Sequence, residues 1–335
     1  TLVTGNGSVA DLNDLSYQCI RIPEVMAIAP RKLAFDYVNP FAVYEFKNII
    51  NDIRPDLIHF HSFYGISSFL LRLAKTKYPT VVTLHDSWIF FYDSSIISPN
   101  FKVTNSAWKL PLGHLHRKIN QNFFRGSTLV SPSMWMKGFV ERHGFQSPTH
   151  IPNGLLDKGS TTAYRDILLW VGDITKFKGL PLVISTIAEI IARTGWRFVV
   201  VGDGPYRHEL EIRYPTVEFV GRCDPISYYH EASILIVSSI GYDNFPTVIL
   251  EGMRHGLCVV GNRIGGIPEI VKDGQTGLLY QSQESLQKQI EKLIADGKAL
   301  QQLGRAARTS FDRNYLWDKC YDKYFNLYQA VINNG

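Results

Sequence analysis

The chain has 335 residues, 45% hydrophobic and 19% charged, an ordinary balance for a globular protein, and it is long for a single hydrophobic core, so two domains are expected. Its net charge of +5 is mild; it suits anionic ligands or an anionic membrane face and is too weak to argue for nucleic acid. No apolar run reaches the roughly 18 to 20 residues that span a bilayer, no signal peptide is visible, and Cys19, Cys223, Cys258 and Cys320 form no CxxC pair, so they read as reduced thiols of a cytosolic protein.

Short apolar runs alternate with helix-length segments along the whole chain, the pattern of an α/β protein with parallel sheets. Leu2–Thr4 followed by Gly5-Asn6-Gly7 reads as the end of a strand and its turn. In the first half, Asp56–Phe60, Thr80–Leu84 and Gly126–Ser131 are expected strands, and Pro40–Ile53, Ser67–Lys75 and Ser133–Arg142 expected helices. His59 and His61 are placed on opposite faces of their strand, His59 as a structural residue and His61 as a weaker site residue. His85-Asp86 follows the Thr80–Leu84 strand, where parallel sheets bind ligands. Trp108–Phe124 mixes basic and aromatic residues and reads as a half-exposed helix, with an acceptor-facing or membrane-surface segment as the alternative. Ile151-Pro152-Asn153-Gly154 is a turn, and the polar stretch after it is the expected linker between domains spanning 1–155 and 156–311.

In the second half the expected strands are Ile167–Val171, Phe198–Val201, Val217–Val220, Ile234–Val237, Cys258–Val260 and Leu278–Tyr280, with later helices at Glu284–Ala295 and Leu300–Ser310. Residues 312–335 are aromatic-rich and read as a closing helix. Val201-Gly202-Asp203-Gly204-Pro205 lacks the third glycine of a GxGxxG fingerprint, which weakens a dinucleotide reading. No HExxH, Cys/His metal spacing or G-x-S-x-G is present.

The most informative stretch is Ser238–Tyr280. A buried strand, Ser233–Val237, leads into a polar loop, and Pro246 suits the first position of a helix through His255, closed by Gly256. The free N–H groups of that helix start, with the positive end of its dipole, favour an anion. Asp243 lies just ahead of it. Glu251 lies one turn beyond Thr247, about 6 Å along the axis. A nucleotide-sugar presents hydroxylated sugar, diphosphate and hydroxylated ribose in a row, and Asp243, the helix start and Glu251 match that row; carboxylates suit vicinal hydroxyls because each offers two acceptor oxygens.

Here the sequence resembles the retaining glycosyltransferases of the GT-B fold, family 4. That family carries E-x7-E, a run like LEAMACGLPVV, then GGIPEIV and DG-TGLL; this chain reads D-x7-E, LEGMRHGLCVV and GGIPEIVKDGQTGLLY. The resemblance implies two Rossmann-like domains whose parallel sheets face an interdomain crevice, with the closing helix crossing back to the first domain. It also implies an earlier strand and glycine-rich loop that are absent here, so the chain reads as a fragment of a longer protein.

For the site, the resemblance implies that His85 contacts the donor sugar, Asp243 holds sugar hydroxyls, Lys178 clamps the diphosphate and Glu251 holds the ribose. Asn244, Phe245, Pro246, Thr247, Val248, Gly265 and Gly266 would complete the donor site, and backbone groups near Gly221-Arg222 would meet the base. The family places a second phosphate-clamping arginine where this chain has Asp173, and Lys176 and the helix start are the candidates to make up for it. The implied activity is sugar transfer from a nucleotide-sugar to a glycan or lipid-linked acceptor, in surface polysaccharide synthesis, with no metal or other cofactor, in the cytoplasm or peripherally at the inner membrane face. A catalytically weak or binding-only subunit and a nucleotide-sugar 2-epimerase stay open as alternatives.

Overall fold

A computed structural model describes residues 2–4, 19–21, 38–61, 67–86, 89–90, 111–157 and 162–334. The expected Gly5-Asn6-Gly7 turn, Trp108, and Ser87, Trp88 and Phe91 after His85-Asp86 lie outside them.

The first half contains β1 (Leu2–Thr4), β2 (Cys19–Arg21), α1 (Pro40–Ile53), β3 (Ile58–Phe60), α2 (Phe69–Ala74), β4 (Thr80–Thr83), α3 (Pro111–Phe124), β5 (Thr128–Ser131), α4 (Met134–Arg142) and β6 (Thr149–His150). The second half contains β7 (Ile167–Val171), α5 (Leu180–Thr194), β8 (Arg197–Val201), α6 (Arg207–Arg213), β9 (Glu218–Gly221), α7 (Ile226–Glu231), β10 (Ile234–Val237), α8 (Thr247–His255), β11 (Cys258–Asn262), α9 (Ile267–Ile270), β12 (Gly277–Tyr280), α10 (Gln283–Ala295), α11 (Gly297–Asn314) and α12 (Trp317–Asn333). Capping residues set several of these starts. Asn39 accepts bonds from the Phe41 and Ala42 N–H groups ahead of α1, and Ser133 accepts one from Met136 ahead of α4, each satisfying donors that a helix start leaves free.

Described strands pair in parallel as β1-β2, β3-β4-β5-β6 and β12-β11-β10-β7-β8-β9. The last sheet explains why its strands are unbroken apolar runs. In β7, Leu168 and Trp170 pack with Ile184 and Ile187 of α5, while Ile167 and Leu169 pack with Ile249 and Met253 of α8 and Phe311 of α11. Alternating side chains thus enter two different cores, and neither face can be polar. Burying each such side chain contributes about 1.5–3 kcal/mol. The strand order reverses between β7 and β10, and this switch opens a crevice beyond the carboxyl ends of the strands.

Helix α12 packs Tyr324, Leu327, Tyr328 and Val331 onto Val81, Val130 and Ile151 of the first half. The helix read from Asp312 starts instead at Trp317: α11 runs unbroken through Asn314. The chain leaves the helix at Tyr315-Leu316 because Leu155 donates to the Tyr315 carbonyl and accepts from the Trp317 N–H, both at 2.9 Å. Two local readings are also corrected. Pro246 is the N-cap of α8, in an extended conformation, and the helix begins at Thr247. His59 and His61 share a face, their rings 4.1 Å apart, as residues two apart in a strand must.

Candidate functional site

At the switch point lies a cavity of about 360 Å³. The carboxyl ends of β7, β8 and β10 provide Gly172, Gly202 and Ser238; Asp173, Lys178 and Arg222 come from the loops beyond β7 and β9; Thr247, Val248 and Glu251 come from the first turns of α8. Of the residues singled out from sequence, Lys178, Arg222, Pro246, Thr247, Val248 and Glu251 therefore share one wall-to-wall space.

Asp243 adjoins it. Its carboxylate accepts from the Lys178 ammonium at 2.7 Å and from the Ser239 hydroxyl at 3.0 Å. The two side chains are 32% and 13% exposed, so the pair is shielded but open to a ligand that competes for either partner. Lys178 is placed by its own backbone, whose carbonyl accepts from Ser238, which in turn accepts from the Trp170 indole. The acid loop is fixed from beneath: Gly266 donates to the Asp243 carbonyl at 2.9 Å. A side chain on Gly266 would lie 1.8 Å from the Asn244 carbonyl oxygen, so only glycine allows this approach. Gly265 and Gly266 thus shape the loop from behind and do not line the cavity.

Glu251 is held by a residue that the sequence reading missed. The Tyr229 hydroxyl donates to Glu251 Oε2 at 2.7 Å. Tyr229 is buried, its ring parallel to His255 at 5.4 Å. Burial, and then the Glu251 charge, raise its pKa well above the ordinary tyrosine value, so the phenol keeps its proton and remains a donor.

Two expected donor-site side chains point elsewhere. Asn244 joins the two halves: it accepts from the Ser133 hydroxyl and donates to the Leu84 carbonyl at 2.7 Å and the His85 carbonyl at 3.4 Å. Phe245 is buried, edge-on to Tyr315. Nearby, Glu269 accepts from the Met134 and Trp135 N–H groups at the start of α4. Gly221 accepts from the Gly202 N–H at 2.8 Å.

Asn244 thereby brings His85 beside the acid loop. His85 Nε2 and His61 Nδ1 lie 2.9 Å apart, so one ring donates and the other accepts. Both are exposed at their surfaces, yet the protein around them is dense enough that burial, then the neighbouring His61, lowers the His85 pKa to about 4. His59 is inside, bonded to Tyr328 at 2.6 Å and Thr83 at 2.8 Å. Burial and its histidine neighbours lower its pKa to about 3.

Asp173 is not unpartnered. It forms an ion pair with Arg222 at 2.9 Å. Among the described residues, no three His, Cys, Asp or Glu side chains cluster as a metal site, and no helix is long and apolar enough to cross a membrane.

Residues 1–155 match the family model for Glycosyltransferase Family 4, and residues 165–296 match that for Glycosyl transferases group 1. The chain is 25% identical over 280 residues to lipopolysaccharide 1,2-N-acetylglucosaminetransferase of Salmonella typhimurium, covering 73% of each. It spans about half the length of other curated relatives, 46% of one and 45% of another. The fold matches sucrose-phosphate synthase from Thermosynechococcus elongatus with a TM-score of 0.79 at 20% identity, over 99% of this chain and 89% of that one. It matches Anabaena HepE, solved in complex with UDP-glucose, with a TM-score of 0.70 at 17% identity, over 93% and 86%. On the two matched family models and this shared architecture, the chain belongs to the family 4, or group 1, glycosyltransferases of the GT-B fold.

Proposed function

We propose that the protein transfers a sugar from a nucleotide-sugar donor, with retention of anomeric configuration, to a glycan or lipid-linked acceptor of a surface polysaccharide. One observation carries this reading. Lys178, the start of α8 and Glu251 line one cavity, and Asp243 adjoins it, paired with Lys178; this supports seats for a donor's sugar at Asp243, its diphosphate at Lys178 and the helix start, and its ribose at Glu251. HepE in complex with UDP-glucose supports the donor class, and the lipopolysaccharide enzyme's name supports the acceptor class.

As the sugar–phosphate bond breaks, negative charge grows on the diphosphate. The Lys178 ammonium and the Thr247 and Val248 N–H groups meet it there, where fixed donors stabilise charge best. Asp243 releases Lys178 to the phosphate and accepts from sugar hydroxyls. Glu251, oriented by Tyr229, accepts from the ribose. His85 contacts the donor sugar beside the reacting carbon. No side chain serves as covalent nucleophile: the acceptor oxygen bonds to the anomeric carbon on the face the diphosphate leaves, and its proton passes to a leaving phosphate oxygen. The chemistry uses no metal.

The test is to incubate the protein with UDP-, GDP- and ADP-sugars and lipid-linked glycan acceptors, follow diphosphate release, and assign the product anomer by NMR. Release that depends on the acceptor, with a retained anomer, is expected. An inverted product would refute the retaining mechanism, and isomerised donor without acceptor would favour a 2-epimerase. Asp173, an acid at a phosphate-clamping position, favours a second reading, a weak or binding-only subunit.

A further inference from the structure

The Asp173–Arg222 pair gives position 173 a different meaning. We propose that Arg222 supplies the phosphate-binding guanidinium of this site from β9, and that Asp173 holds it in place; this rests on the donor site proposed above.

Sheet order puts β7 and β9 on either side of β8. At about 4.8 Å per strand, they lie about 10 Å apart. Asp173 and Arg222 bridge that gap with an ion pair of 2.9 Å, across strand ends that are all glycine. The carboxyl ends of β7, β8 and β9 are Gly172, Gly202 and Gly221, tied together by Gly172 N–H to the Val201 carbonyl and Gly202 N–H to the Gly221 carbonyl. A side chain on Gly202 would strike the Gly172 carbonyl at 1.8 Å. These strand ends contribute no side chains of their own, and Gly172 and Gly202 form part of the cavity that also holds Lys178 and Thr247.

The pair is a poor device for stability. Its side chains are 76% and 65% exposed, and exposed ion pairs contribute little. It is a good device for aim. A guanidinium has five N–H donors in a planar fork, and the Asp173 contact engages one nitrogen. The remaining donors can meet a phosphate in the cavity that Arg222 and Lys178 both line. The charge that the family carries beyond β7 is thus restored from two strands away.

The test is calorimetric binding of UDP, GDP and ADP, each beside its free nucleoside, to the full chain. Wild type binds at least one diphosphate; failure of all three overturns the donor site itself and this proposal with it. Arg222→Gln is expected to weaken that diphosphate by about tenfold or more and to leave the nucleoside unchanged, with the melting temperature unmoved. Asp173→Arg added to Arg222→Gln is expected to restore most of the loss, because an arginine at either strand end reaches the same place. Unchanged diphosphate affinity in Arg222→Gln, equal losses for diphosphate and nucleoside (a base contact), or no rescue by Asp173→Arg would each overturn the proposal.

Discussion

The phenol of Tyr229 and the carboxylate of Glu251, 2.7 Å apart, join a buried core residue to an open binding cavity. Glu251→Ala is expected to weaken nucleotide-sugar binding by about 1–3 kcal/mol, the loss for a carboxylate bonded to hydroxyls. Tyr229→Phe keeps the ring on His255 and removes only the bond that orients the acid. It is expected to raise the donor KM several-fold while kcat changes little. Calorimetry and steady-state kinetics check both, with circular dichroism confirming the fold. Unchanged affinity in Glu251→Ala would remove the ribose role.

Lys178→Ala is expected to lower kcat more than it weakens donor binding, because the charge it meets grows as the sugar leaves. The 2.7 Å contact to Asp243 adds a companion expectation. Asp243→Asn frees the lysine without removing it, so the diphosphate should bind at least as well while turnover falls through the lost sugar contact. A rise in KM alone in Lys178→Ala would reduce the lysine to a binding group.

Acid sensitivity follows from the histidines. His59 has a folded pKa of about 3, below the unfolded value of about 6.5. Below pH 6.5 the unfolded chain therefore binds a proton that the folded chain refuses, and stability falls as pH drops toward 3. His59 alone removes up to about 1.4 kcal/mol per pH unit in that window. Urea unfolding between pH 7 and 4 should show this slope, and His59→Gln should flatten it. With the His85 pKa lowered to about 4, the acid limb of kcat/KM should not fall near pH 6.5.

Much of this site was legible because its parts are close in sequence. Asp243, Thr247 and Glu251 lie on one loop and helix, so spacing alone stacks them. Lys178 follows a strand whose carboxyl end must face the crevice. What was illegible joins distant segments: Tyr229 to Glu251 across 22 residues and Arg222 to Asp173 across 49. No local pattern marks a tyrosine that orients an acid, and Asp173 read as a deficit because its partner comes from another strand. In the fold, strands and helices of the second half followed from apolar runs and glycine stops. The break at Tyr315-Leu316 carries neither glycine nor proline; a bridge to Leu155 makes it, and a long-range bond leaves no local signal.

Excess EDTA is expected to leave sugar transfer unchanged. The Lys178 ammonium and the start of α8 already provide counter-charge to a diphosphate and would repel a cation placed between them. Complete loss in EDTA, restored by Mn²⁺, would contradict this and most of the site assignment.

The central claim, a nucleotide-sugar seated on α8 between Lys178 and Glu251, is tested most directly by a thermal-shift screen of UDP-, GDP- and ADP-sugars on wild type, Lys178→Ala and Glu251→Ala. One base class should stabilise wild type by a few kcal/mol at concentrations well above its Kd, and both variants should lose most of that shift. No shift with any donor, or a shift that both variants keep, would contradict it.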